Sequence, residues 1–195
     1  MTTGTFRASK LSGLVVLLIL IGVGGVFTYW RTGVETVPGE YEVRKGNYRL
    51  EDGLYDEAER EFTLALERNA DLVWAHHGLA VTYLQMGRLE DALEKFTVAV
   101  TIDPSFAVGY ADRGIAYDRM GRYEEALGDY RKSLEIDAEV VEGPGWLWRF
   151  LRNVQEKPPT IRERADYLEA ELKKPPGERL LAVPEMDQEQ RMYKK

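Results

Sequence analysis

The chain has no cysteine and only two histidines, His76 and His77, in 195 residues. Without cysteine there is no disulfide framework, no thiol nucleophile and no thiolate metal site. The histidines are adjacent, and neighbours on a helix point about 100° apart, so they cannot grip one metal as an i, i+4 pair does. A packed or surface role is the expectation for both. Also missing are a phosphate-cradling glycine loop, a G-x-S-x-G elbow and any metal-ligand spacing. Carboxylate pairs such as Glu90-Asp91 and Glu124-Glu125 sit at expected helix starts. There they complement the helix dipole, which accounts for them without acid–base chemistry. The sequence therefore predicts no catalytic site, no cofactor and no metal.

Basic charge is scarce as well. Of 26 basic and 33 acidic side chains, three basic ones (Arg7, Lys10, Arg31) and no acidic one lie in residues 1–31. That leaves 23 basic against 33 acidic, a net charge of −10, for the rest of the chain. Such a body is a poor electrostatic match for nucleic acid, so a nucleic-acid partner is not expected.

Charge is absent altogether from Leu11 to Trp30, where Val, Leu, Ile and Gly dominate. Twenty residues at ~1.5 Å rise span about 30 Å, the thickness of a bilayer's hydrocarbon core. Arg7 and Lys10 flank one end, and Tyr29, Trp30 and Arg31 form an interfacial belt at the other. A cleavable signal has a shorter apolar run, ~7–15 residues, followed by a small-x-small site. Here Gly22-Val23-Gly24 is the only passable site and lies inside the run. The expectation is an uncleaved transmembrane helix contacting the lipid bilayer. The short tail with two basic residues is expected to stay in the cytoplasm, although Arg31, Arg44 and Lys45 nearly balance it. The soluble body would then lie in the periplasm, anchored to a bacterial inner membrane.

Beyond the linker, three stretches repeat at a spacing of 34 residues. Gly53, Gly87 and Gly121 are in phase, as are Ala58, Ala92 and Ala126. Behind them come the aromatics Phe62, Phe96 and Tyr130, then Ala65, Ala99 and Ser133, then Leu66, Val100 and Leu134. Upstream of each glycine sits another small residue: Gly46, Ala80, Gly114. A glycine can end a helix in the left-handed conformation. Small residues let helices approach, and aromatics fill the space beside them. Helices are predicted at 40–52, 55–68, 72–86, 89–101, 106–120 and 123–136. Lys45 and Arg49 stand where the second repeat has Leu79 and Tyr83. That leaves the first helix solvated, frayed or covered by another element.

After Asp137 the pattern changes. Gly143-Pro144-Gly145 opens an apolar helix, Trp146 to Leu151, but Trp148 takes the in-phase place of Gly114. Pro158-Pro159 breaks the chain, and Thr160 with Glu163 forms a capping box. The helix it opens places Ile161, Ala165, Leu168 and Leu172 on one face, suiting a terminal cap. Pro175-Pro176-Gly177 ends it.

Residues 39–140 resemble the tetratricopeptide repeat, on that period and its small/aromatic alternation. The resemblance implies an all-α fold: a right-handed superhelical solenoid of antiparallel helix pairs with a concave groove lined mainly by the first helices. With the membrane helix, the expected layout is a tail (1–10), membrane helix (11–30), linker (31–38), three repeats (39–140), capping helices (141–174) and a proline-containing tail (175–195). By analogy with the family, the groove is lined by Val43, Arg44, Asn47, Leu50 and Glu51 of the first repeat. The second contributes Trp74, His77, Val81, Leu84 and Gln85, and the third Val108, Asp112, Ile115, Asp118 and Arg119. The helix after it adds Trp146, Arg149 and Arg152. One family subtype clamps a peptide's C-terminal carboxylate; Asn47 matches its asparagine, but Val43 replaces a lysine and Gly78 a second asparagine. That departure argues against a carboxylate clamp. The expected function is a non-catalytic scaffold or assembly factor that binds a partner protein through the groove. The partner segment would be held by Trp74, Leu84 and Ile115 and oriented by Arg119, Arg149 and Arg152. An alternative partner surface is Trp146, Trp148 and Phe150, which suits a permanent accessory subunit of a membrane enzyme complex.

Overall fold

Three glycine turns set the architecture. The computed structural model describes residues 37–138 and 160–182, and every regular element among them is helical. Six helices form three hairpins: α1 (Glu40–Glu51) with α2 (Tyr55–Arg68), α3 (Val73–Gln85) with α4 (Leu89–Ile102), and α5 (Ala107–Arg119) with α6 (Tyr123–Ile136). Each hairpin turns at Gly53, Gly87 or Gly121, with φ of +74°, +75° and +73°. The amide after the glycine reaches back to the first helix, as Leu54 N–H to Arg49 O at 2.8 Å and Arg88 N–H to Tyr83 O at 2.8 Å. This is the Schellman arrangement, which satisfies carbonyls that a helix end would otherwise leave bare. The hairpins are joined at Asn69 and Asp103, both with extended backbone. Their side-chain oxygens accept the amides of Asp71 (3.1 Å) and Ser105 (2.9 Å), closing short turns. The predicted helix bounds hold to within one residue at each end.

Packing follows the same period. Ala58, Ala92, Ala126, Phe62, Phe96, Tyr130, Ala65, Ala99 and Ser133 are all fully buried. Phe62 is a shared wedge. A Cβ built on Gly46 of α1 would stand 2.8 Å from its ring, and one on Gly78 of α3 only 2.3 Å. Consecutive helices pack together, and each first helix also meets the next first helix, α1 with α3 and α3 with α5.

The first repeat is a full helix rather than a frayed one. Lys45 pairs with Glu61 at 2.6 Å and Arg49 with Glu57 at 3.1 Å, so the positions that depart from the pattern tie α1 to α2. In the third repeat the same phase as Lys45–Glu61 is filled by Arg113, which donates to both oxygens of Asp129 at 2.7 and 2.8 Å. That hydrogen bond raises the Arg113 guanidinium pKa.

Helix α7 (Ile161–Leu172) packs on α6, as α3 packs on α2 and α5 on α4. It starts with the expected capping box: Glu163 N–H donates to Thr160 Oγ1 (3.1 Å) and Thr160 N–H to Glu163 Oε2 (2.8 Å). Ile161, Ala165 and Leu168 are buried, and Leu172 is half-buried. A short 3-10 turn at Pro176–Glu178 then brings Leu180 and Leu181 back along α7. Glu171 accepts from Leu180 N–H at 2.8 Å, and Tyr167 donates to Leu180 O at 2.6 Å.

Among the described residues no helix is long and apolar enough to cross a membrane. The predicted membrane segment, residues 11–30, lies outside the described residues.

Candidate functional site

The inner face is built by α1, α3 and α5, the first helix of each hairpin. These helices differ from their partners in charge. The second helices are acidic, with Asp56, Glu57, Glu59, Glu61 and Glu67 on α2 against Arg60 and Arg68. Likewise α4 and α6 carry more acids than bases. By contrast α1 and α5 are balanced, and α3 bears no acidic, lysine or arginine side chain.

At the centre lies a knot of aromatic rings and one buried hydrogen bond. Trp74 stands edge-on to Phe106 (ring centroids 4.8 Å apart) and to His77 (5.5 Å). His77 also meets Phe96 and Phe106. Its Nε2–H donates to Asp112 Oδ2 at 2.8 Å, linking α3 to α5 inside the core. A buried hydrogen bond to a charged group contributes about 1.5–3 kcal/mol net. His77 is thus a packed histidine. His76 also has a local role, contacting Ala70 O through Nε2 at 2.8 Å.

A buried ion pair fixes the end of the face. Arg164 of α7, fully buried, donates to both oxygens of Asp118 on α5 at 2.7 Å each. Tyr130 Oη donates to the same carboxylate at 3.0 Å, and Arg164 also donates to Leu181 O at 3.0 Å. Sequence reasoning missed this pair. The available signal was position: Arg164 falls three residues after Ile161, on the apolar face of its helix.

The expected groove residues divide by depth. Arg44, Asn47 and Arg119 are exposed, and Trp74 is half-buried. His77, Val81, Leu84 and Ile115 are buried, Leu84 at 2% and Ile115 at 0% exposure. The expected open apolar strip is therefore corrected. Leu84 and Ile115 belong to the shared core with Phe62 and Phe96, because first helices that touch one another close over the side chains between them. Arg149, Arg152 and the alternative surface of Trp146, Trp148 and Phe150 lie outside the described residues. Two of the three carboxylate-clamp positions are occupied by packing. Val43 is buried, and the Phe62 ring leaves no room for any side chain at Gly78. Among the described residues no group of three or more His, Cys, Asp or Glu side chains could hold a metal ion.

Stacked helical hairpins with a wedge aromatic between first helices define a class of repeat solenoid. Comparison with known proteins identifies the repeat. Two tetratricopeptide-repeat family models match, one over residues 49–104 and the other over 107–139, so the chain carries tetratricopeptide repeats. Among similar solved structures is the Arabidopsis OM64 tetratricopeptide domain, 25% identical, with a TM-score of 0.51, covering 52% of this chain and 84% of that one. Another is the second such domain of Spaghetti (RPAP3) bound to the HSP90 peptide SRMEEVD, 25% identical, TM-score 0.50, covering 51% and 93%. The first domain of the same protein, 24% identical with a TM-score of 0.52, covers 62% and 93% and shares the fold. No curated protein matches the chain.

Proposed function

We propose that this protein is a non-catalytic scaffold, anchored in the inner membrane through Leu11–Trp30, whose repeat body holds a partner protein in the periplasm. The observation that carries the reading is the inner face itself. It is closely packed, free of excess charge within an acidic body, and presents Asn47, Trp74 and Arg119 above a closed core. A domain similar to this one, the second of Spaghetti, is bound to an HSP90 peptide. The partner here differs in chemistry. With Gly78 and Val43 given over to packing, a C-terminal carboxylate has no clamp, so the recognised segment is internal. It is oriented by arginines, and acidic side chains on it face Arg119, Arg149 and Arg152. Local charges govern this contact despite the acidic body, because screening cuts off at about 8 Å.

The test is affinity capture with the detergent-extracted full chain, followed by binding measurements on the partner it identifies. Trp74→Ala is expected to weaken binding by ~2 kcal/mol, as a truncated aromatic anchor does, while Arg119→Glu raises sensitivity to salt. Full binding by both variants, each with an unchanged far-UV spectrum, would remove the inner face from the function. Extraction by carbonate without detergent would remove the anchor.

A further inference from the structure

The N-terminal end of the solenoid carries a face that the repeat pattern does not explain. Tyr41 and Tyr48 of α1 are 65% and 67% exposed. One period later their phases hold Ala75 and Thr82, and two periods later Gly109 and Ala116, all of them buried. Both α3 and α5 pack on the helix before them, whereas α1 has none before it among the described residues. So α1 presents a surface of the kind that receives a helix, but furnished with two large aromatics on one stripe, seven residues apart.

We propose that this face is a homodimer interface in which α1 packs antiparallel on α1 of a second copy. Three observations select a second copy. At the other end of the described residues α7 packs on α6 and is held there by the Arg164–Asp118 contact. The outer face of α6 is thus already taken, and pairing of α1 with the like face of a second copy is two-fold and self-limiting. Next, charge favours this helix over the acidic second helices. It balances Glu40, Glu42 and Glu51 against Arg44, Lys45 and Arg49, while α2, α4 and α6 are acidic. Two acidic bodies meet with least repulsion where each is neutral. Finally, the face is self-complementary. With the crossing level with Gly46, Arg44 of each copy lies over Tyr48 of the other. The described residues already hold stacks of this kind, among them Arg88 over Tyr83 at 4.1 Å and Arg122 over Tyr117 at 4.5 Å. Arg44 is available for it, since its own contact with Glu40 is long, 3.7 Å, and exposed at both ends.

The experiment uses the full chain in mild detergent and does not depend on the partner or the topology proposed above. Sedimentation is expected to give two chains per particle. Tyr41→Ala with Tyr48→Ala should raise the dissociation constant by roughly tenfold or more. Arg44→Glu should do the same by charge, with a far-UV spectrum unchanged in each. Because the chain lacks cysteine, Asn47→Cys, an exposed position beside the crossing, provides a single thiol that leaves the Arg44 contact intact. A short bis-maleimide should join Asn47→Cys copies and fail to join Lys132→Cys copies, which carry the thiol on α6. One chain per particle for the unsubstituted protein would overturn the proposal. So would a dimer that survives both the tyrosine and the arginine variants, or equal cross-linking at both positions. A single chain whose Asn47→Cys thiol is shielded only in lipid vesicles would assign the face to the bilayer instead, and would overturn it too.

Discussion

Removing the Arg164 guanidinium tests how the solenoid is closed at its C-terminal end. The side chain is fully buried, and its partner Asp118 is 6% exposed. Arg164→Ala withdraws two 2.7 Å charge-assisted bonds from that carboxylate and a third from Leu181 O. Deleting one member of a buried ion pair typically costs about 3–5 kcal/mol, because the remaining charge stays out of water. Against a domain stability of ~5–15 kcal/mol, that is a large fraction. Asp118→Asn alone should cost a similar amount by stranding the guanidinium. The double variant Arg164→Met with Asp118→Asn should cost much less, because no buried charge of this pair remains and the asparagine oxygen still accepts from Tyr130 Oη. A coupling energy of roughly 2–3 kcal/mol is expected between the two sites. Urea unfolding of the detergent-solubilised full chain, followed by far-UV circular dichroism, measures all four corners of the cycle. A single-variant loss below about 1 kcal/mol, or simple additivity in the double variant, would refute the reasoning.

Two further outcomes follow from packing and charge. Gly78→Ala should destabilise by ~1–3 kcal/mol, because its Cβ would press on the buried Phe62 ring and the loss exceeds the alanine helix preference of about 1 kcal/mol. Gly128→Ala, an open position within α6, should stabilise by up to about 1 kcal/mol. Thermal melts of the two variants moving in the same direction would show that the wedge is misplaced. Hydrogen bonding by Leu180 N–H, then by Lys174, holds the Glu171 carboxyl below its usual 4.5. A lowered value means the folded turn prefers the carboxylate, so its contribution is complete above pH 4.5 and is lost as pH falls through the folded value. Amide exchange at Leu180 should accelerate in acid relative to that at Leu168, and a Glu171→Gln variant should lose this pH dependence.

The repeats were legible because each residue type at each phase has one steric job. Glycine at 53, 87 and 121 supplies the left-handed turn, and alanine at 58, 92 and 126 supplies the close approach. The helix bounds and the Thr160 cap followed from the same logic. Depth was not legible. A period identifies the face on which Leu84 and Ile115 lie, but whether that face is open depends on how closely α1, α3 and α5 approach. That spacing is a tertiary property, set between α1 and α3 by Phe62 and its two glycines. The His77–Asp112 bond was hidden for the same reason, since it joins residues 35 apart that pattern places on one face without pairing them. Lys45 and Arg49 were visible as departures, but their partners Glu61 and Glu57 became evident only once α1 and α2 were side by side.

The Phe62 wedge has a consequence for how the array comes apart. In a linear chain of repeats, unfolding is governed by the balance between each unit's own stability and its coupling to the next. Phe62 belongs to the first hairpin by sequence, yet its ring touches backbone positions of both the first and second. The first hairpin cannot peel away without uncovering a ring that burial stabilises by ~1.5–3 kcal/mol, and the second cannot open without freeing the same ring. The coupling between these two units therefore runs through this shared side chain, beside the polar contacts of Glu59 with Tyr83 and Arg88. Amide exchange should show α1 to α4 opening in a single cooperative step, with no separate stage for the terminal hairpin.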